Sequence, residues 1–259
     1  MAVSPYPYEH HWLENPSILV SEDGLHWSVP KGLSNPIALP VRGFLADATV
    51  VYDDASDQLW VYFLNDVGDQ ERLLRKTSAD GIHWSAAEIV LTGPVAFVNS
   101  PSVVKASGRF FLWTVNTLHC NTQDSVANVR ASEDGMNWSG PTPLQIDQPG
   151  YVIWHINTIW VAEKQQWMSL VAAYKDGLGC ADTILFFANS YDGIHWKTYS
   201  KPVLTPGKEW DGHQIYRSSL LYDLGASRLR VWYSAESNTE PNYLRTWHVG
   251  YTEKIFPIE

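Results

Sequence analysis

The sequence predicts an all-β fold, and three observations lead to this prediction. A seven-residue pattern, S-x-D-G-x-[HN]-W, begins at Ser21, Ser78, Ser132 and Ser190, so its copies are 57, 54 and 58 residues apart. The segments between the copies are short apolar and β-branched runs separated by turn residues, and none has the period of an amphipathic helix. A near-constant step of this length indicates one supersecondary unit copied along the chain. Four-stranded antiparallel sheets repeated in this way form a β-propeller.

Each copy of the pattern predicts a β-hairpin. A strand ends at the serine, the Asp-Gly pair forms the turn, and the tryptophan begins the next strand. Because Gly accepts a positive φ and Asp bonds to its own backbone, Asp-Gly between apolar runs is a strong hairpin signal. This turn chemistry explains the four aspartates without a functional role; they are Asp23, Asp80, Asp134 and Asp192.

Four longer segments predict the inner pair of strands of each repeat. Each is an apolar run with a turn near its middle and a tryptophan in its second half. The segments are residues 48–63, 101–115, 157–174 and 218–235. An inner hairpin followed by an S-x-D-G hairpin makes one four-stranded antiparallel blade.

The number of copies predicts a five-bladed β-propeller in one domain. Outer hairpins or their first strands number five, the fifth being residues 248–252, whereas inner hairpins number four. We therefore expect the first blade to lack its innermost strand; either residues 254–259 supply it or the chain begins late. The predicted blades span about residues 1–40, 44–92, 97–146, 151–204 and 211–259 of the single domain 1–259.

The amino-acid composition and net charge limit the kinds of molecule that this protein is expected to bind. The chain has 259 residues, 13 Trp, 13 Tyr and a formal net charge of −10. Because no basic stripe is present to neutralise phosphates, neither nucleic acid nor an anionic membrane is expected as the main partner. No apolar run reaches the length of a membrane span, and no signal peptide is visible. The composition favours a neutral or cationic ligand such as a sugar, and it leaves localisation and oligomeric state open.

The two cysteines, Cys120 and Cys180, are too few for a disulfide scaffold and have no metal-ligand spacing. One bridge between them and two free thiols are both consistent with the sequence. The histidines show no paired ligand spacing either, so we expect neither a metal nor another cofactor.

The starts of the inner strands carry the candidate functional residues. Alignment of the repeats places Asp47, Ser100, His155 and Arg217 at the same position of four blades. In a propeller this position faces the ring axis, where we expect the four side chains to converge on a pocket. Convergent polar groups in a cleft indicate a binding or catalytic site, although a water-filled channel also tolerates them.

The loops at the same end of the predicted blades add three carboxylates. Glu14 lies where the chain re-enters the first blade, Asp211 lies on the approach to the last inner strand, and Glu236 ends that blade's second strand. Each of these acids alone is more often a solvated loop charge. A functional role requires that they share a pocket with the inner-strand residues.

Three segments resemble a known group of proteins. They are E-N-P-S-I-L-V-S-E-D-G at residues 14–24, W-H-I-N at 154–157 and I-Y-R-S-S at 215–219. Together with the S-x-D-G hairpins, they are similar to the five-bladed propeller glycosidases of the arabinanase–invertase type, families 43 and 32, and most of all to a bacterial and phage branch. The likeness covers essentially the whole chain.

This resemblance implies a trio of carboxylates, of which two flank the glycosidic bond. By position, Asp47 matches the family's inner-strand acid. The later blades have Ser100, His155 and Arg217 where the family has an acid, and Asn157 stands where Asp is common. The trio is therefore incomplete unless Glu14, Asp211 or Glu236 completes it from the loops.

The sequence supports three functional hypotheses. The first is a glycoside hydrolase with Asp47, Glu14 and Asp211 as catalytic carboxylates. The second is a non-catalytic glycan-binding propeller of a phage or cell-surface adhesin type, and the third is a structural propeller that docks a protein. For the first two, the expected carbohydrate-binding residues are Trp12, Ser100, Trp154, His155, Asn157, Tyr216 and Arg217.

Overall fold

The described part of the protein is built almost entirely from β-strands. A computed structural model describes residues 1–7, 10–117, 125–146, 148–178, 180–237 and 246–256, with the side chain of residue 181 left out. The helices in these ranges are short 3-10 turns at His11–Leu13, Ala162–Lys164 and Cys180–Asp182. None of them has the length and apolarity that a membrane crossing requires. The prediction of an all-β chain is confirmed.

Two compact units divide the chain. Unit 1 comprises Met1–Thr114 and Arg130–Gly140, and unit 2 comprises Val115–Val129 and Pro141–Glu259. Each unit has its own buried apolar core. In unit 1, one core cluster is Trp60, Tyr62, Leu73, Val90, Val103, Phe110 and Leu112. In unit 2, the largest cluster includes Met168, Leu170, Leu185, Phe187, Ile215, Val231 and Tyr233.

Unit 1 contains a two-stranded and a four-stranded antiparallel sheet. Strands β1 (Ala2–Val3) and β2 (Ser17–Ile18) form the first, with Ala2 opposite Ile18. The second has its strands in chain order: β3 (Phe44–Asp53), β4 (Gln58–Asp66), β5 (Glu71–Ser78) and β6 (Glu88–Gly93). Strand β4 is buried from Trp60 to Leu64, as expected for an inner strand covered on both faces.

The next sheet has residues in both units. Its strands, again in chain order, are β7 (Ser102–Ala106), β8 (Arg109–Asn116), β9 (Val126–Ser132) and β10 (Thr142–Pro143). The hairpin between β7 and β8 turns at Ser107 and Gly108, both of which have a positive φ. Gly suits this conformation because it has no Cβ.

Unit 2 contains two further sheets. The strands of the first are β11 (Gln145–Ile146), β12 (Tyr151–Val161), β13 (Gln166–Lys175), β14 (Ile184–Ser190) and β15 (His195–Thr198). Their order in the sheet is β11-β15-β14-β13-β12, in which β12 to β15 are antiparallel and β11 is parallel to β15. The second sheet is antiparallel and consists of β16 (Gln214–Asp223), β17 (Arg228–Glu236) and β18 (Trp247–Ile255).

These sheets confirm the predicted repetition of antiparallel hairpins. The described residues form four sheets of three or more strands and one sheet of two strands. The number of five blades and the missing inner strand of the first blade stay predictions, as do the blade boundaries.

The four Asp-Gly turns share one hydrogen-bond pattern. In the third copy, Oδ1 of Asp134 accepts the backbone N–H groups of Met136 and Asn137, both at 2.8 Å. The Ser132 hydroxyl accepts the N–H of Gly135 at 2.9 Å, and Gly135 has a φ of 67°. The other copies repeat these bonds around Asp23, Asp80 and Asp192. Each aspartate therefore accepts hydrogen bonds from backbone N–H groups of its own turn.

These turns predict a loss of stability in acid. The backbone N–H groups of Asn137 and Met136 hold the pKa of Asp134 well below its usual value. A depressed folded-state pKa contributes stability above the unfolded-state pKa of about 3.9, and this contribution disappears as the pH falls through the folded-state value. We expect Asp134→Asn to lower Tm at pH 7 by about 2–4 °C. We also expect the variant to lose less stability than the wild type as the pH falls from 5 to 2, as measured by thermal denaturation.

A matched control is Asp69→Asn, because Asp69 is an exposed carboxylate 3.7 Å from the Arg42 guanidinium and belongs to no Asp-Gly turn. This variant should keep the wild-type dependence of Tm on pH. An Asp134→Asn protein with the same acid profile as the wild type would show that the turn charge does not stabilise the fold.

One of the two cysteines forms a disulfide. Cys180, in the 3-10 turn Cys180–Asp182, is disulfide-bonded. Cys180 is therefore not a free thiol, so the alternative of two free thiols is wrong. Cys120 lies outside the described residues.

Candidate functional site

The predicted inner-strand residues lie at irregularities of the strands. The pairing register shifts between Ala46 and Thr49 in β3, between Ile153 and His155 in β12, and between Ile215 and Ser218 in β16. A β-bulge bends its strand and changes the direction of a side chain, and bulges are frequent next to active sites. The residues at these three shifts include Asp47, Trp154, Tyr216 and Arg217, all of which the sequence had singled out.

Asp47, in unit 1, has an unusual backbone and a buried side chain. Its φ is 55°, and the residue is 8% exposed. Oδ2 accepts the backbone N–H of Ser100 at 2.9 Å. Ser100 directly precedes β7, has a φ of 54° and is fully buried. Because left-handed conformations of residues other than Gly are costly and concentrate at functional sites, this pair is a candidate for function.

Glu14 and Trp12, also in unit 1, belong to a short 3-10 turn. Glu14 ends the turn His11–Leu13 and donates its N–H to the carbonyl of His11 at 3.2 Å. The His11 ring lies 5.0 Å from the ring of Phe44, the first residue of β3. The Glu14 side chain is partly exposed, and Trp12 is 59% exposed. The turn thus places a carboxylate and an exposed indole beside the strand that carries Asp47.

In unit 2, His155 is the centre of a group of aromatic rings. The His155 ring is 4.2 Å from that of Tyr216 and 5.5 Å from that of Trp154. Tyr216 in turn lies 5.5 Å from Trp247, the first residue of β18. Trp154, Tyr216 and Trp247 of this aromatic cluster are only partly buried. The structure thus brings together three of the predicted binding residues, His155, Trp154 and Tyr216.

The remaining predicted residues of unit 2 take part in local hydrogen bonds. The backbone of Arg217 donates to and accepts from the Ser234 hydroxyl, at 3.0 and 3.1 Å. The carbonyl of Asn157 accepts the Ser169 hydroxyl at 2.9 Å. The side chains of Arg217 and Asn157 are both partly exposed. A role in binding is therefore compatible with their positions.

Asp211 is engaged with a tyrosine. Its Oδ2 accepts the Tyr233 hydroxyl at 3.2 Å. Burial, together with the nearby charge of Asp211, raises the pKa of Tyr233 to about 12. The tyrosine therefore stays protonated and continues to donate to this carboxylate at neutral pH.

Two features of unit 2 were not part of the predicted site. The first is a contact between two titratable groups, in which Nε2 of His213 lies 3.5 Å from Oε2 of the buried Glu236. The second is Trp247, which faces Glu236 across β17 and β18. Glu236 itself is one of the three acids that the sequence offers for the carboxylate trio, but its contact with His213 is not predicted. Both features depend on the exact pairing register of β16, β17 and β18, which the sequence pattern does not specify.

Metal-binding groups are not found in the described ranges. No three His, Cys, Asp or Glu side chains there lie close enough together to hold a metal ion. Unit 2 has a cavity of about 420 Å³, lined mainly by residues 199–203 and by parts of β17 and β18. None of the predicted site residues lines this cavity.

The fold is that of propeller-like proteins that include glycosidases. A thermostable family 43 glycoside hydrolase matches 96% of this chain and 89% of its own, with a TM-score of 0.66 and 13% identity. A family 32 β-fructofuranosidase from Bombyx mori matches 82% of this chain and 46% of its own, with a TM-score of 0.59 and 16% identity. At these identities the likeness establishes the all-β, propeller-like fold alone. No family model matches the chain.

Two comparisons with proteins of Flavonifractor plautii are more specific. The chain is 30% identical to the "A type blood N-acetyl-alpha-D-galactosamine deacetylase" of this organism, with 94% of the chain covered. The chain spans 40% of that relative's length. A crystal structure of an N-acetylgalactosamine deacetylase from F. plautii, in complex with blood group B trisaccharide, has a TM-score of 0.89 and 27% identity over 98% of this chain and 84% of its own. The homologue is therefore a carbohydrate-modifying enzyme with neighbours of glycosidase fold.

Proposed function

We propose that this chain is a carbohydrate N-deacetylase, which removes the acetyl group from an N-acetylated hexosamine such as N-acetylgalactosamine. The observation that carries the proposal is the likeness to the F. plautii deacetylase along nearly the whole chain. In this reaction the oxygen of water bonds to the acetamido carbonyl carbon and the C–N bond breaks. The products are acetate and an amino sugar, which takes up a proton.

Hydrolysis of an amide requires three kinds of help from a protein. A base takes a proton from the attacking water, an acid gives a proton to the leaving nitrogen, and donors stabilise the negative charge on the carbonyl oxygen. Two carboxylates can supply the first two functions, as they do in glycosidases. The carboxylates that suggested a glycosidase are therefore equally suited to a deacetylase.

We assign the acid–base role to Asp47 and Glu14 in unit 1. Asp47 is held in a fixed orientation by the Ser100 N–H, and the turn that carries Glu14 packs on the same strand. Asp211 remains a third candidate carboxylate, with its orientation set by Tyr233. The exposed Trp12 keeps its predicted role in binding, whereas the fully buried Ser100 acts through its backbone N–H on Asp47.

In unit 2 we assign carbohydrate binding to the aromatic cluster. An aromatic ring packs well against the apolar face of a sugar, and a Tyr hydroxyl or Trp N–H adds a hydrogen bond. Trp154 and Tyr216 provide such faces, and His155, Asn157 and Arg217 provide polar groups for hydroxyl or acetamido oxygens. A neutral sugar also agrees with the net charge of −10, because this charge does not repel it.

The proposal predicts release of acetate. Purified protein would be incubated with a trisaccharide ending in α-linked N-acetylgalactosamine, and the reaction followed by enzymatic acetate assay and mass spectrometry. We expect acetate and a trisaccharide that has lost one acetyl group but no sugar. The matched control substrate has galactose in place of N-acetylgalactosamine and should give no acetate.

The same experiment separates the other two functions. New reducing ends without acetate would indicate the glycosidase, which the fold neighbours and the carboxylates favour. Saturable binding of the trisaccharide without any product would indicate the glycan-binding protein. Absence of both turnover and binding across a panel of N-acetylated glycans would overturn the proposed function.

A further inference from the structure

The loop of residues 94–100, between β6 and β7, is held by two buried carboxylates. Oε1 of Glu71 accepts the N–H of Ala96 at 2.8 Å, and Oε2 accepts those of Phe97 and Val98 at 2.8 and 3.0 Å. At the other end of the loop, the N–H of Ser100 donates to Asp47 at 2.9 Å. The Glu71 carboxylate thus fixes the middle of the loop, and the Ser100 N–H at the end of the loop fixes the Asp47 carboxylate.

Packing around the loop leaves it little freedom. The Phe97 ring covers Gly93, where an added Cβ would overlap ring atoms. The Arg130 guanidinium carbon also lies 4.4 Å from the centre of the Phe97 ring. Val98 is completely buried against Ala46, the residue before Asp47. Side-chain packing therefore links the loop to the neighbourhood of Asp47, in addition to the hydrogen bonds from Glu71 to the loop and from the loop to Asp47.

The backbone of the loop is in a conformation that requires support. Ala96 and Ser100 have φ values of 64° and 54°, in the left-handed region that residues other than Gly rarely adopt. Such conformations persist where the surrounding structure imposes them. The three hydrogen bonds to Glu71 act on Ala96 and its two successors, which is where this support is needed.

From this geometry we propose that Glu71 is a positioning residue for Asp47. By holding Ala96, Phe97 and Val98, it sets the place of the Ser100 N–H and thereby the orientation of the Asp47 carboxylate. Glu71 itself is 2% exposed and lies opposite Gly93 in the β5–β6 pair. The catalytic role of Asp47 in this inference rests on the proposed function, whereas the way in which Asp47 is held does not depend on that function.

A carboxylate is an unfavourable side chain for a buried position whose only role is to fill space. Burial raises the pKa of Glu71, whereas the three backbone N–H groups act in the opposite direction. An apolar side chain would fill the space without this desolvation penalty, but it could not accept three N–H groups. The function of the group is therefore to hold the loop backbone.

The test uses Glu71→Gln, which keeps the shape of the side chain but exchanges one acceptor oxygen for a donor. Hydrogen exchange of the Ser100 amide should become at least about 10-fold faster, whereas exchange in β4 should not change. For deacetylation, kcat should fall about 100-fold while KM changes less than about twofold, because misplacement of a catalytic group lowers the rate of the chemical step. NMR titration of Asp47 should show a higher pKa, because the charged form loses a donor.

The matched control is Glu88→Gln, because Glu88 is a half-exposed carboxylate on the neighbouring β6, 2.9 Å from the Arg75 guanidinium. It should show wild-type exchange at Ser100 and wild-type kcat. If Glu71→Gln does not fold, Gly93→Ala tests the same loop, since its methyl group would displace Phe97 and should give the same three effects.

The outcomes separate this inference from the proposed function. Unchanged exchange at Ser100 or an unchanged titration of Asp47 overturns the inference, whatever the activity. Faster exchange and a shifted Asp47 titration with an unchanged kcat support the positioning by Glu71 and overturn the catalytic assignment of Asp47. A wild-type protein without deacetylase activity overturns the proposed function, and the exchange and titration measurements then decide the role of Glu71 without it.

Discussion

Under the proposed deacetylase function, Asp47→Asn is expected to lower kcat for acetate release by about 10²- to 10⁴-fold, the usual contribution of a general acid or base. The substitution removes a charge and little else. Asn adopts the left-handed conformation of residue 47 about as readily as Asp does, and its carbonyl oxygen can still accept the Ser100 N–H. We therefore expect Tm to stay within about 3 °C of the wild type, so that the lost activity reports chemistry rather than folding.

The control for this prediction is Asp57→Asn. Asp57 also has a left-handed backbone, with a φ of 52°, but it lies in the exposed turn between β3 and β4. Its variant should keep wild-type kcat and KM. Near-normal acetate release by Asp47→Asn would remove Asp47 from the catalytic role, and an equal loss in Asp57→Asn would point to a general effect of the substitutions on unit 1.

Gly43→Ala should have the largest effect on stability of any single methyl group added to unit 1. Gly43 directly precedes β3 with a φ of 70°, and a Cβ there would overlap the backbone carbonyl of Asp66. The Asn65 side chain donates to the carbonyls of Arg42 and Phe44, both at 3.0 Å, so the chain cannot easily move away. We expect a decrease of about 3 kcal/mol or more in the free energy of unfolding, combining the strain of a left-handed residue with that of overpacking.

Urea denaturation would measure this decrease, and Gly108→Ala is the matched control. Gly108 has a φ of 78°, but no atom lies within 4 Å of an added Cβ. Its variant should lose only about 1–2 kcal/mol, the cost of the backbone conformation alone. Equal losses in the two variants would show that the Gly43 loop relaxes and that the close approach to Asp66 does not matter.

The turns of this protein were predictable because their causes are local. Asp134 and Gly135 form a turn whose hydrogen bonds all lie within a few residues, so the sequence pattern contains the whole explanation. Repetition of the pattern then predicted antiparallel sheets. Alignment of the repeats places Asp47 and His155 at the starts of inner strands, whereas in the structure they lie inside β3 and β12, next to register shifts, and both are buried.

Other parts of the candidate site could not be predicted because they depend on contacts between distant segments. Nothing near Glu71 in sequence indicates that it holds Phe97, 26 residues away. The pairing of His213 with Glu236 and the packing of Trp247 on Tyr216 likewise arise from strand register. The sequence also does not distinguish hydrolysis of a glycosidic bond from hydrolysis of an amide bond, because two carboxylates can serve either reaction.

The self-contained Asp-Gly turns also bear on how the protein folds. Because Ser132, Asp134 and their neighbours complete their hydrogen bonds within one short segment, each such hairpin can close without waiting for the rest of the chain. Isolated hairpins form in about 1–10 μs, far faster than most all-β domains assemble. We therefore expect four preformed nuclei along the nascent chain, onto which the longer inner strands add later.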